Sequence, residues 1–223
     1  MPSKIIKLTI FLLCFLICPS IIKAAKSPDA IAIRVIPNTE HYGPMRWYKE
    51  QGFTGSPQSM SIDGYEAIRD GRTVYVNAAN IGSDSTLYTN IYLMSYNQDA
   101  EEATVKIVNE MLSHWHVNRN ITDSGQCLDA SGNLSGGCLV DKECPAMQYC
   151  QSPKAKITRD TRRLSDLAEI KIALADYKQT NNKYPVLTSG SYLPGKSLSV
   201  WPSWRETLEK ELWASLPNDP INR

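Results

Sequence analysis

Cys127, Cys138, Cys144 and Cys150 are the side chains best placed to do chemistry, and they follow one another as C-x10-C-x5-C-x5-C. Thiols clustered this closely either pair with each other or hold a soft metal ion. Structural zinc sites are usually built on a C-x2–4-C pair, which this spacing lacks, so two disulfides are expected, in any of three connectivities. The surrounding DSGQCLDASGNLSGGC is too rich in Gly, Ser and Asp to make a core. By the loop-entropy model each bridge would contribute ~2–4 kcal/mol, enough to order so short a segment.

Other groups that could act are few. Of the three histidines, His41 stands alone. His114 and His116 flank Trp115 and would point to different faces of a helix, whereas a helical metal pair needs i,i+4 spacing. Asp129-Ala130-Ser131-Gly132-Asn133 begins like a calcium loop, but Leu134 stands where that loop needs Gly. Asp63, Glu66 and Asp70 surround a hairpin, where solvated turn carboxylates are the ordinary outcome. No G-x-S-x-G elbow, G-x-G-x-x-G or phosphate loop occurs. No catalytic residue, cofactor or metal is therefore expected. A secreted hydrolase with carboxylates in residues 26–123, and a small-ligand or cation-binding protein, are the alternatives.

The elements that would position these groups begin with an export signal. Lys4 and Lys7 give a positive start, Leu8 to Cys18 is apolar, and Ile22-Lys23-Ala24-Ala25 offers a small residue for cleavage. That is the layout of a secretory signal peptide, assigned to residues 1–25 and including Cys14 and Cys18. The run is shorter than the ~20 apolar residues a spanning helix needs. The cleaved chain is thus expected to be secreted or at the cell surface with no membrane span, an uncleaved anchor being the alternative.

Residues 26–123 read as an α+β module. Ala30 to Ile36 alternates like a strand, and Arg46 to Glu50 is a helical turn closed by Gly52. Tyr65 to Arg69 and Thr73 to Asn77 flank Asp70-Gly71, a dipeptide suited to a two-residue hairpin, and Leu87 to Tyr96 is a further strand. Asp99 with Glu102 has capping-box spacing. Ala100, Ala103, Ile107, Val108, Met111, Leu112 and Trp115 then recur at helical spacing. A small antiparallel sheet with a packed helix is expected. After the Cys-rich link, 124–152, Ser152-Pro153 opens a second helix that stops at Asn181-Asn182 before Tyr184-Pro185. Leu164, Leu167, Ile170, Leu174 and Tyr177 form its apolar line, and Arg162 with Asp166 an i,i+4 ion pair on its outer face. The line needs a cover. A short helix opened by Ser203 and Glu206, bearing Trp204, Leu208 and Leu212 with Trp201 and Tyr192 beside it, is one candidate, and a protein partner is the other.

The segments RDTRRLSDLAEIKIALADYKQTNNKYP, Arg159 to Pro185, and WPSWRETLEKELWASLPNDP, Trp201 to Pro220, resemble the soluble half of the long helix of type II secretion pseudopilins and type IV pilin-like proteins. In that family a basic, Leu-stippled helix runs through an Asn-Asn-Lys-Tyr-Pro-like stop into a Leu-Pro-x-Asp-Pro turn. The resemblance covers residues 153–223 and brings no catalytic residue. It implies a structural role and a protein partner, a surface, pilus or secretion component. It departs from the family in two places. Cys144 to Gln151 is polar where pilins carry their apolar helical half, so no filament is expected. The chain stops at Arg223, where pseudopilins continue into a small sheet with calcium-binding loops, so a truncated module is expected and no calcium ligand carries over.

Formal charge is +1, or −2 once the three lysines of residues 1–25 are removed. With no basic stripe, nucleic acid is not an expected partner. The reading is a non-catalytic, exported interaction or structural protein of α+β class.

Overall fold

The computed structural model describes residues 28–186, 192–212 and 215–221. The signal-peptide assignment, with Cys14 and Cys18, lies outside the described residues. The fold is α+β, and its centre is a five-stranded antiparallel sheet in the order β1-β5-β4-β3-β2. The strands are β1 (Ile31–Pro37), β2 (Gln58–Ile62), β3 (Tyr65–Asp70), β4 (Thr73–Ile81) and β5 (Leu87–Tyr96). β2 to β5 form a meander. β1 lies beyond β5, so the chain crosses the sheet through α1 (Pro44–Glu50) to reach β2.

Two tight turns set the registers. Ile62 pairs with Tyr65, leaving Asp63-Gly64 as a two-residue loop with φ of +51° and +87°. Positive φ at both central positions is the requirement of a type I′ turn, which Asp-Gly satisfies best. In the next hairpin Asp70 pairs with Thr73. The loop there is Gly71-Arg72 rather than the expected Asp70-Gly71, with Gly71 alone at positive φ, as a leading glycine in a type II′ turn would be.

The pleat gives the sheet two chemically different faces. Val76, opposite Ala67 and Tyr92, lies on the face covered by α2 (Glu102–Ser113), where Tyr65, Val74, Met94, Val108 and Leu112 are buried together. Tyr75, opposite Ile68 and Leu93, lies on the other face, under Trp47 and Tyr48 of α1. The expected capping box at Asp99 does not form. Asp29, far away in sequence, accepts from the Glu101 N–H and the Thr104 hydroxyl at 2.7 and 2.6 Å, while Asp99 accepts from Asn97. A cap is worth ~1 kcal/mol, and burying Val108 or Leu112 ~1.5–3 kcal/mol each. Packing therefore holds α2, and the cap sets where it begins. The apolar stripe is narrower than its sequence suggests, since Ile107 and Met111 are exposed.

The cysteine segment forms a second sheet, β7-β6-β8, from β6 (Gly125–Leu128), β7 (Leu134–Cys138) and β8 (Tyr149–Cys150). It leads into α3 (Pro153–Asn181), the expected 29-residue helix, ~43 Å long. Ser152 caps it through the Ala155 N–H, and Asn182, left-handed at φ +54°, ends it. A π-helical stretch Ser203–Glu209 then runs into α4 (Lys210–Leu212). Its N-cap is Pro202 rather than the expected Ser203. Among the described residues no helix is long and apolar enough to cross a membrane.

Candidate functional site

α3 rests on the sheet face that also carries α1, and polar chemistry holds it there. Its buried residues include Lys154, Ala155, Ile157, Arg159, Thr161, Ser165 and Ala168, none of them in the expected apolar line. Thr161, Ser165 and Ala168 recur at helical spacing, and their small side chains let the helix approach the sheet closely. Ser165 Oγ accepts from Asn77 Nδ2 at 2.9 Å, and Asn77 Oδ1 accepts from Asn38 Nδ2 at 3.1 Å. Asn38 in turn donates to the Tyr42 carbonyl and accepts from the Tyr42 N–H. A buried chain of amides thus links the β1–α1 loop, the middle of β4 and α3. Buried polar groups of this kind are stable only when paired.

Two ion pairs fix the first turns of α3. Lys154 Nζ donates to Asp63 Oδ2 at 2.7 Å, and the side chains are only 8% and 5% exposed. Asp63 also accepts from the Val117 N–H at 2.9 Å, and His116 Nδ1 lies 3.3 Å from its other oxygen. The carboxylate that sequence reasoning would leave solvated in a turn is therefore a buried junction of the β2–β3 turn, the segment after α2 and α3. Arg159, also buried, donates to Asp141 at 2.5 Å and stands over the Tyr149 ring. Asp141 accepts the Cys150 N–H as well, which ties the helix to the cysteine segment.

The disulfides are Cys127–Cys144 and Cys138–Cys150. Cys127, Cys138 and Cys150 are buried against Ala155 of α3. Ser152 joins the two parts, donating to the Leu139 carbonyl and accepting from Ala155. Gly125 passes so close to the backbone of Gln151 and Ser152 that a Cβ would collide with it. The cross-linked segment therefore serves as a base on which α3 starts. The calcium-like loop is closed on itself. Asp129 accepts from the Ser131 and Asn133 N–H groups and from Asn133 Nδ2, bonds that lower its pKa.

Beyond Ala168 the surroundings of α3 change. Ile170 and Leu174 pack against Trp204, Leu208, Leu212 and Leu216, the intramolecular cover anticipated from the sequence. The Leu-Pro-x-Asp-Pro turn is what brings this segment back. Arg163 donates twice to Asp219, at 2.8 and 3.0 Å, and these bonds hold the Asp219 carboxyl below its usual range. Trp204 Nε1 donates to the Pro217 carbonyl at 3.1 Å. Of the remaining apolar line, Leu164 is half-buried, Tyr177 donates to Glu211 at 2.8 Å, and Leu167 is 61% exposed. Leu167 and Ile170 border an open groove of about 240 Å³ against Leu198, Trp204 and Pro217.

An acid-lined cleft of about 380 Å³ lies where α1, β2, β3 and α3 meet, with Arg46, Glu66, Asp166 and Glu169 on its walls. Burial, aided by the charges of Glu66, Asp219 and Glu169 and opposed by Arg162, raises the Asp166 pKa to about 6. The Arg162–Asp166 pair is at 4.0 Å, with Asp166 on the cleft wall and Arg162 half-exposed at its edge, where Glu66 is also 3.7 Å away. Glu169 is engaged by Arg46 at 2.8 Å. Asp63, Glu66, His41 and His114 are not brought together, for His41 meets Thr89 and His114 meets Glu110. Comparison of the chain with known protein families, characterised proteins and solved structures returns no match.

The signal missed in the sequence was Ile62-Asp63-Gly64-Tyr65, a stronger hairpin cue than Asp70-Gly71. Lys154 and Arg159 gave no cue, because charged residues in a helix's first turns ordinarily face water.

Proposed function

We propose that this chain is a non-catalytic exported protein that presents a pilin-like helix to a protein partner at the cell surface, in a pilus or in a secretion apparatus. The carrying observation is the division of α3. Its first half is anchored by Lys154–Asp63, Arg159–Asp141 and Ser165–Asn77, whereas Leu167 is open to solvent beside a groove. Such a helix is fixed at its base and open on the flank that carries Leu167, which suits a scaffold better than a reaction site. Two disulfides at that base suit an oxidising compartment.

The test is recovery of the tagged protein from its own host. Processed chain beginning at Ala25 or Lys26, with four blocked thiols and a photo-crosslink from position 167 to a pilus, secretion or surface component, is the expected result. Unprocessed, reduced protein confined to the cytosol would refute the proposal.

The second reading, a carboxylate hydrolase, has the cleft around Asp166 on its side, since a carboxyl with a pKa of about 6 can act as a general acid near neutrality. Turnover of ester, peptide or glycoside substrates that is lost in Asp166→Asn would favour it.

A further inference from the structure

The two edges of the five-stranded sheet are not alike. β2, Gln58-Ser59-Met60-Ser61-Ile62, is short and polar. β1, Ile31-Ala32-Ile33-Arg34-Val35-Ile36-Pro37, is apolar but for Arg34, and four consecutive residues are exposed. On the α2 side of the sheet, Ile33 is 56% and Val35 50% exposed. A long apolar edge of this kind, its outward peptide groups in no ladder among the described residues, is a template for another strand.

The flank of α2 extends this edge. Thr104 bonds to Asp29, just ahead of β1, whereas Asn109 accepts from Arg69 of β3 on the opposite flank. Residues 107 and 111, next to Thr104 on the helix surface, therefore face β1. Starting from the Thr104–Asp29 contact, ~1.5 Å per helical residue puts Ile107 ~4.5 Å and Met111 ~10.5 Å along, while ~3.3 Å per strand residue puts Ile31 ~7 Å, Ile33 ~13 Å and Val35 ~20 Å along, so Ile107 lies near Ile31 and Met111 approaches Ile33. Ile107 and Met111 are 54% and 38% exposed. Ile33, Ile107 and Met111 make an apolar seam beside the open strand, and exposed Val35 continues the edge beyond it.

We propose that this seam and the β1 edge pair with β1 of a second copy, in antiparallel two-fold fashion about Ile33, joining two sheets into one of ten strands. The sequence of the edge is self-complementary in that register. Ile33 faces its own copy, Ile31 faces Val35, and Arg34 faces Ala32, so no like charges meet. Pro37, which has no N–H to give, falls outside these pairs. Centring the pairing on Arg34 instead would set two arginines side by side and carry Pro37 into the ladder, opposite Ile31. The two-fold axis puts both α2 helices on one side, so Ile107 and Met111 of each copy approach across the junction. The same patch serves both partners, as an isologous dimer requires. This pairing does not depend on export or on α3.

Sedimentation equilibrium of the disulfide-bonded protein, without residues 1–25, should show the average mass rising from one chain toward two across the micromolar range. Ile33→Lys, at an exposed position, should keep the circular dichroism and melting temperature of the wild type while weakening association at least tenfold. Ile33→Cys should oxidise to a covalent dimer, because facing residues of an antiparallel pair lie ~4.5–5.5 Å apart at Cα, within disulfide range. Val35→Cys should not, its copies being four strand residues apart. A single-chain mass at every concentration would overturn the proposal. So would association unchanged by Ile33→Lys, or equal cross-linking at positions 33 and 35.

Discussion

α2 and α3 lie on opposite faces of one sheet and are attached by opposite chemistries. α2 inserts Val108 and Leu112 among Tyr65, Val74, Val76 and Met94, an apolar contact that tolerates small shifts. α3 meets its face through Asn77–Ser165 and Lys154–Asp63, contacts that depend on a partner atom being in place. The difference teaches where position is fixed most strictly. An apolar helix can slide along its face at modest loss. A helix held by buried ions and amides has one register, since any other leaves charges and amides unpaired in a dry interior.

The largest way to break this contrast is Lys154→Ala. It leaves Asp63 buried without its cation, and removing one member of a buried pair costs ~3–5 kcal/mol. Lys154→Ala combined with Asp63→Asn should recover part of that loss, because the stranded charge is gone. Urea midpoints of the two variants measure both effects, and equal midpoints would mean that the pair is not buried in solution.

Next comes the same truncation on the two helices. Leu112→Ala should cost ~2–5 kcal/mol as a core cavity, whereas Leu167→Ala should stay within ~0.5 kcal/mol as a surface change. A comparable loss at Leu167 would show that the groove beside it is closed. Asn77→Ala sits lower, at ~1–3 kcal/mol, the price of leaving Asn38 and Ser165 partly unpaired.

The smallest effect is one of pH. Burial holds the folded Asp166 carboxyl at a pKa of about 6, above its ordinary value of 3.8, so the folded chain binds that proton more tightly than the unfolded one. Its contribution is most favourable below pH ~4, falls as pH rises through ~4–6, and is fully lost above that window. Asp219, shifted downward, acts in the opposite sense, adding stability above the unfolded value that is lost in acid. Melting temperatures of Asp166→Asn against wild type should converge near pH 4 and diverge in favour of the variant at pH 7. A constant difference would place Asp166 outside the cleft's electrostatics.

What could be read in the sequence follows the same division. Alternation located β1, aromatic and β-branched content located β5, and helical spacing with a Ser-Pro start located α3 to within a residue, because such patterns and caps are local signals. The cysteine count and compartment anticipated two disulfides, though not their pairing, which depends on how β6 and β8 lie together. The docked face of α3 was illegible. Leu164 to Tyr177 looked like the buried line because burial was equated with apolar side chains, whereas Thr161, Ser165 and Lys154 are buried through bonds to Ile157, Asn77 and Asp63. Those partners lie as many as 91 residues away, beyond any local pattern. The cap at Asp29 was hidden for the same reason, 72 residues from the Glu101 N–H that it accepts.

Amide hydrogen exchange resolved along α3 tests the division of that helix most directly. Residues 155–168, held by ion pairs, amides and the disulfide-linked base, should exchange only with global unfolding. Residues 175–181, where all but Tyr177 are exposed, should exchange orders of magnitude faster through local opening. Protection as high in the last two turns as in the first, or an anchored half that exchanges as fast as the last turns, would contradict a helix fixed at its base and free at its far end.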